Sequence, residues 1–188
     1  IHPEELGIDF LSASAHKFHG PKGIGFLYAS SADFDSYLHG GDQEQKKRAG
    51  TENLAAIVGM VAALKEDLEQ QDEHYQKLEG LKSAFLDEIA GLEYYLNESQ
   101  HQLPYVVNIG FPGQKNDLLL LRLDLEGISI STGSACTAGV VQTSHVLEAF
   151  YGPDSHRLTE SVRISLSPLN TEEELKQLAQ TLKNIIGD

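Results

Sequence analysis

The stretch Ile8-Asp9-Phe10-Leu11-Ser12-Ala13-Ser14-Ala15-His16-Lys17-Phe18-His19-Gly20-Pro21-Lys22-Gly23-Ile24-Gly25-Phe26-Leu27-Tyr28 decides how the chain is to be folded. Residues 8–13 form a short apolar run that reads as a buried strand. His19-Gly20-Pro21-Lys22-Gly23 is turn chemistry, and residues 24–28 read as a second strand. Ser12-Ala13-Ser14-Ala15-His16-Lys17 comes straight off the first strand. A lysine at a strand end, beside a histidine and small residues, is placed to line a pocket. The competing interpretation is an exposed lysine ahead of a turn, and local spacing does not separate the two. Lys22 is the weaker candidate, because turn tips face water.

Outward from this stretch, Gly40-Gly41-Asp42 opens a polar loop that runs to Thr51. Leu54, Ile57, Val58, Val61, Leu64 and Leu68 recur at helical spacing, with Thr51 as the expected N-cap. Polar residues 70–73 mark a bend or boundary. A second helix carries Tyr75, Leu78, Leu81, Phe85 and Ile89, with Gly91 to end it. Residues 105–109 read as a strand, 116–126 as a leucine-rich helix closed by Gly127, 128–130 as a short strand and 144–150 as a short helix. Residues 161–166 alternate with period two. Thr171-Glu172-Glu173-Glu174 is a capping box that opens the last helix. Strands and helices in alternation give an α/β or α+β fold, and beyond residue ~70 they suggest a small two-layer domain. Ile1 is not a methionine, and residues 1–7 read as the middle of a fold, so an N-terminal portion is expected to precede them.

The 188 residues carry 40% hydrophobic residues and a formal net charge of −14. This argues against non-specific nucleic-acid binding and against an anionic membrane surface. Lys46-Lys47-Arg48 is a local basic patch that also suits a solvated turn. No apolar run approaches the ~20 residues of a membrane helix. A single cysteine fits a reducing compartment, which for this chain means an expected cytoplasmic location.

That cysteine, Cys136, lies in Ser131-Thr132-Gly133-Ser134-Ala135-Cys136-Thr137-Ala138-Gly139. It is either an inert small hydrophobe or a reactive sulfur on a loop. No Lys or Arg stands within several positions to favour its thiolate. Gly50-Thr51 ahead of a helix offers N–H groups to an anion, although most such threonines only cap. Arg163 interrupts an alternating strand; it either fills the polar face or grips a carboxylate bidentately. His16 and His19, three apart without cysteines or clustered carboxylates, do not make a metal site.

Four ordered motifs carry a resemblance. They are Ser14-Ala15-His16-Lys17 with Gly20-Pro21-Lys22-Gly23; Gly40-Gly41-Asp42-Gln43-Glu44 with Arg48-Ala49-Gly50-Thr51-Glu52-Asn53; Gly133-Ser134-Ala135-Cys136; and Val162-Arg163-Ile164-Ser165-Leu166 with Asn170-Thr171. With these the chain resembles the cysteine desulfurases of the class V aminotransferase family, enzymes that use pyridoxal 5′-phosphate (PLP).

The resemblance implies that Lys17 is the Schiff-base lysine and moves protons at the substrate α-carbon. It implies that Ser14 and His16 bind the PLP phosphate, and that Thr51 reaches the phosphate of a neighbouring subunit's cofactor in a homodimer. Arg163 would clamp the carboxylate of L-cysteine. Cys136 would take the substrate's sulfur as a persulfide, leaving L-alanine, and pass it to an acceptor protein of iron–sulfur cluster assembly or tRNA thiolation. A related lyase, such as one favouring selenocysteine, and a non-catalytic dimerisation or docking fragment are the alternatives.

The resemblance implies an α/β chain in which residues 1–70 are the end of a large PLP-binding domain, a mixed sheet flanked by helices, and residues 71–188 are a small α+β domain. Members of the family place a large segment before the position of Ile1. It carries the ring contacts of the cofactor, so the 188 residues alone are expected to be inactive. Ser167-Pro168 stands where many relatives have glycine.

Overall fold

The computed structural model describes residues 1–133 and 143–187. Its elements run β1 (Phe10–Ser14), β2 (Gly25–Ala29), α1 (Leu54–Glu69), α2 (Gln71–Glu88), β3 (Tyr95–Leu96), β4 (Val106–Gly110), α3 (Asn116–Leu125), α4 (His145–Tyr151), α5 (Arg157–Glu160), β5 (Ser161–Ser165) and α6 (Glu172–Gly187). The chain is α/β and divides into two compact units, Ile1–Gln71 and Asp72–Asp188.

In the first unit β1 and β2 form an antiparallel hairpin, with Phe10 opposite Ala29 and Ser14 opposite Gly25. The close approach at its turn end requires glycine, since a Cβ on Gly25 would sit 2.3 Å from the Ala13 carbonyl oxygen. The strand expected to be buried is not. Phe10, Ser12 and Ser14 are exposed, and among the described residues of this unit only Ala15 is a buried hydrophobic. The α1 stripe is likewise largely uncovered: Leu54 and Val58 are 71% and 69% exposed. The helix packs on the turn after β1 through Gly59, where a Cβ would lie 2.8 Å from Pro21 Cγ. Its N-cap is Asn53, not Thr51. The Asn53 Oδ1 accepts the Ala56 N–H at 3.2 Å, the shorter local route for a side chain directly before the first apolar residue.

The second unit has a conventional core. An antiparallel sheet in the order β3-β4-β5 is registered by Asn108 opposite Arg163 and by Tyr95 opposite Gly110. Leu78, Leu81 and Phe85 of α2, Leu119 and Leu123 of α3, and Leu175, Leu178, Leu182 and Ile185 of α6 meet Val107, Ile109, Val162 and Ile164 of the sheet. Each large side chain removed from water contributes about 1.5–3 kcal/mol. The period-two reading of residues 161–166 fits: Val162 and Ile164 are buried while Ser165 is exposed. The capping box also forms, with Thr171 Oγ1 accepting the Glu174 N–H at 3.3 Å and Glu174 Oε2 accepting the Thr171 N–H at 3.0 Å.

The expected strand at 128–130 is absent. The chain makes one isolated bridge instead, Ser131 to Arg163. Two elements went unread in the sequence, β3 and α5. They are tied by polar side chains rather than by apolar periodicity. Arg157 donates to Asn97 Oδ1 at 2.6 Å, and Asn97 Nδ2 donates to Asn108 Oδ1 and Ser161 Oγ, each at 2.8 Å. The Arg157 guanidinium stacks between Tyr95 and Tyr151, 4.1 and 4.4 Å from the ring centres.

Candidate active site

The Lys17 segment is built by β1 and the turn that follows it. Residues Ala15–Phe18 form a single 3-10 turn directly after Ser14. Ala15 is its anchor: it is fully buried, and its N–H donates to the Ile24 carbonyl at 3.0 Å. The Gly20 N–H donates back to the Ala15 carbonyl at 2.9 Å. A Cβ on Gly20 would lie 2.9 Å from Ala15 Cβ, so this position tolerates only glycine without a shift. His19 adopts the left-handed conformation, φ 65°, to close the turn.

With the backbone so fixed, the side chains of Ser14, His16 and Lys17 are left exposed within four residues. None of the three makes a hydrogen bond or ion pair among the described residues. An aldehyde that carries a phosphate needs one amine and donors for its phosphate oxygens. Lys17 offers the amine, and Ser14 and His16 offer the donors, so the set fits PLP.

Thr51 lies on another loop of the same unit, exposed and two residues ahead of the α1 cap. The loop is tightly tied. Ser36 Oγ donates to the carbonyls of Leu38 and Lys47, both at 3.1 Å. The Ala49 N–H donates to Leu38 O at 3.1 Å. Lys47 donates to the Phe34 carbonyl and stands 4.6 Å over its ring. The basic triplet is therefore partly structural, since Arg48 also donates to Gly50 O at 3.2 Å. Glu44, Gln45 and Lys46 all have positive φ, 50°, 54° and 66°. Each such L-residue costs roughly 1–2 kcal/mol, and strain of this kind persists only where the surroundings over-determine it.

Arg163 belongs to the second unit. Its backbone sits at the middle of β5, paired with Asn108 on one side and bridged to Ser131 on the other. Among the described residues its buried Nε has no hydrogen-bond partner, an arrangement that costs free energy until an acceptor arrives. Ser131 starts the segment that leads to Cys136. Cys136 itself lies outside the described residues, as does everything from 134 to 142. At the foot of that segment a cavity of about 330 Å³ is lined by Asn116, Thr132, Gly133, Thr143, Ser144 and Thr159.

The structure thus brings Ser14, His16 and Lys17 onto one turn, puts Thr51 on a second loop, and sets Arg163 in the other unit. Two residues tied to these segments are announced by no periodicity: Gln43, through one hydrogen bond from the Gly50 N–H, and Ser131, through one bridge to Arg163. Among the described residues no group of three or more His, Cys, Asp or Glu side chains could hold a metal ion, and no helix is long and apolar enough to cross a membrane.

Comparison with known proteins places these features in a family. The aminotransferase class-V family model matches residues 1–178. A protein of Bacillus subtilis (strain 168) named putative cysteine desulfurase IscS 1 is 46% identical over 183 residues, covering 95% of this chain and 48% of that protein. The cysteine desulfurase IscS of Dictyoglomus turgidum is 40% identical over 190 residues, covering 99% and 48%. Among solved structures, a NifS-like protein superposes with a TM-score of 0.85 at 32% identity, over 98% of this chain and 48% of that one. A NifS-like protein from Rickettsia africae gives 0.85 at 27% identity, over 100% and 50%. The chain spans about half the length of the curated relatives it matches. With the family's own pattern running through nearly all of it, the chain belongs to the aminotransferase class-V family.

Proposed function

We propose that this chain is the C-terminal half of a homodimeric, PLP-dependent cysteine desulfurase. The single observation that carries this is the buried Nε of Arg163, without a partner among the described residues, on the strand that bridges to the root of the Cys136 segment. A guanidinium held in this way suits a small carboxylate that arrives and leaves. The names of the relatives, cysteine desulfurases, agree with such a substrate.

In this scheme residues 1–70 end the cofactor domain and residues 71–188 form the small domain. The division of the chain after Gln71 supports that assignment. Lys17 holds the cofactor through its amine, Ser14 and His16 take its phosphate, and Thr51 takes the phosphate bound in the other subunit. When bound, PLP supplies the electron sink that makes the substrate's C–S bond breakable. Arg163 fixes the carboxylate of L-cysteine and so orients its sulfur. The Cys136 thiolate attacks that sulfur. An S–S bond forms as the C–S bond breaks, and the carbon side takes a proton, with Lys17 as the group to move it, ending as L-alanine. The persulfide then passes its outer sulfur to an acceptor thiol by exchange. The acceptor is a cytoplasmic protein of iron–sulfur assembly or tRNA thiolation.

The exposed faces of β1, β2 and α1 support the inference that further protein covers them in the complete enzyme. The 188 residues alone are then inactive. The test uses the full-length enzyme loaded with PLP and reduced with borohydride. A pyridoxyl group fixed on Lys17, and on no other lysine, is expected; a group fixed elsewhere overturns the assignment.

A further inference from the structure

We propose that Gln43 is a positioning residue that sets Gly50 and Thr51 for a phosphate group. It rests on the assignment of Thr51 as a phosphate ligand and deepens it. Gln43 is half-buried, whereas Gly41, Asp42, Glu44, Gln45 and Lys46 around it are exposed. Its Oε1 accepts the Gly50 N–H at 3.1 Å across seven residues of chain. The carboxamide packs against Gly41, where a Cβ would stand 2.4 Å from Oε1. Glycine at 41 is therefore the room this side chain needs.

The left-handed run Glu44, Gln45, Lys46 follows directly. It reverses the chain so that residue 43 comes to face residue 50. Gly50 has φ +102°, a conformation that L side chains rarely adopt. The residue is then held through both of its backbone polar groups: Gln43 takes the N–H, and Arg48 donates to the carbonyl at 3.2 Å. The strained turn has no apolar core to hold it, so these polar ties are what over-determine it. Thr51 is the next residue. With the Gly50 N–H already used by Gln43, the free donors presented to an anion at this point are those of Thr51.

Gln43 acts through Thr51 and touches no substrate, so its effect is confined to ligands that carry a phosphate. The experiment compares PLP with pyridoxal, which lacks the phosphate, as ligands of the full-length enzyme stripped of cofactor. Binding is read by visible absorbance for the wild type, Gln43→Ala, Thr51→Ala and the double variant. Loss of one net hydrogen bond predicts PLP affinity about threefold to tenfold weaker in Gln43→Ala. Pyridoxal affinity is unchanged, and the double variant is no weaker than Thr51→Ala alone. Equal weakening of both ligands, or independent addition in the double variant, overturns the role of Gln43 while leaving that of Thr51 intact. Wild-type PLP affinity in Thr51→Ala overturns the Thr51 assignment itself, and the role of Gln43 with it.

Discussion

Ser131 and Arg163 exchange backbone hydrogen bonds in both directions. The Arg163 N–H donates to Ser131 O at 2.6 Å, and the Ser131 N–H donates to Arg163 O at 3.1 Å. The residue with the buried, partnerless Nε and the root of the cysteine segment are thus registered to each other. Cys136 follows Ser131 by five positions, a tether that reaches at most about 17 Å when fully stretched. A carboxylate gripped at Arg163 and a thiol on that tether share one fixed point.

Arg163→Gln keeps the strand but loses the fork of donors. In the full-length enzyme kcat/KM for L-cysteine should fall about tenfold to a hundredfold, the range for hydrogen bonds to a charged group. Thermal stability should be retained, because Nε has no partner to lose. Steady-state kinetics beside a melting curve checks both halves.

Ser131→Pro removes the donor that binds Arg163 O. The bridge is isolated, so the stability cost should be small, about 1 kcal/mol. Sulfur release should fall well beyond that, with cofactor absorbance unchanged. Turnover compared with cofactor content in the same preparation gives the answer.

Gly110 sits opposite Tyr95, and a Cβ there would stand 2.2 Å from the Tyr95 ring. That ring is also stacked on Arg157, and its hydroxyl donates to Glu160 at 3.1 Å. Burial, chiefly, raises the phenol's pKa above 10.0, with Glu160 adding to it. Gly110→Ala must displace the ring, so denaturant unfolding should show a loss of about 1–3 kcal/mol from overpacking.

Thr171→Ala removes the N-cap of α6 and should cost about 1 kcal/mol. The cap also has a pH signature. Hydrogen bonds from Asn170, and then from the Thr171 backbone, hold the Glu174 carboxyl below its ordinary value of 4.5. A depressed folded-state pKa stabilises the fold above 4.5, and the contribution is lost as pH falls through the lowered value. Wild type and Glu174→Gln should therefore differ in melting temperature at neutral pH and converge on acidification.

The second unit was largely legible in the sequence because its elements bury one face each. Leu119 and Leu123 or Val162 and Ile164 announce their elements by spacing, and Thr171 with Glu174 announces a start. The first unit was legible in its motifs but not in its burial. A reading of residues 8–13 as a buried strand assumes a covering layer, and among the described residues the edge-on ring of Phe34 still leaves Phe10 54% exposed. The N-cap slipped by two residues because Thr51 and Asn53 are both cap formers, and the apolar run favours the nearer. β3 and α5 were invisible because Asn97, Arg157 and Ser161 fix them through hydrogen bonds. The candidate site was legible as residue types in order. The ties of Gln43 to Gly50 and of Ser131 to Arg163 were not, since only folding creates those contacts.

The most direct measurement is the mass of the Cys136 peptide from full-length enzyme treated with one equivalent of L-cysteine and then alkylated. One added sulfur atom on Cys136, with a matching amount of L-alanine, is the expected result. Cys136→Ser should keep the bound cofactor yet form neither the persulfide nor transferable sulfur. L-alanine and full sulfur transfer from Cys136→Ser would contradict Cys136 as the carrier.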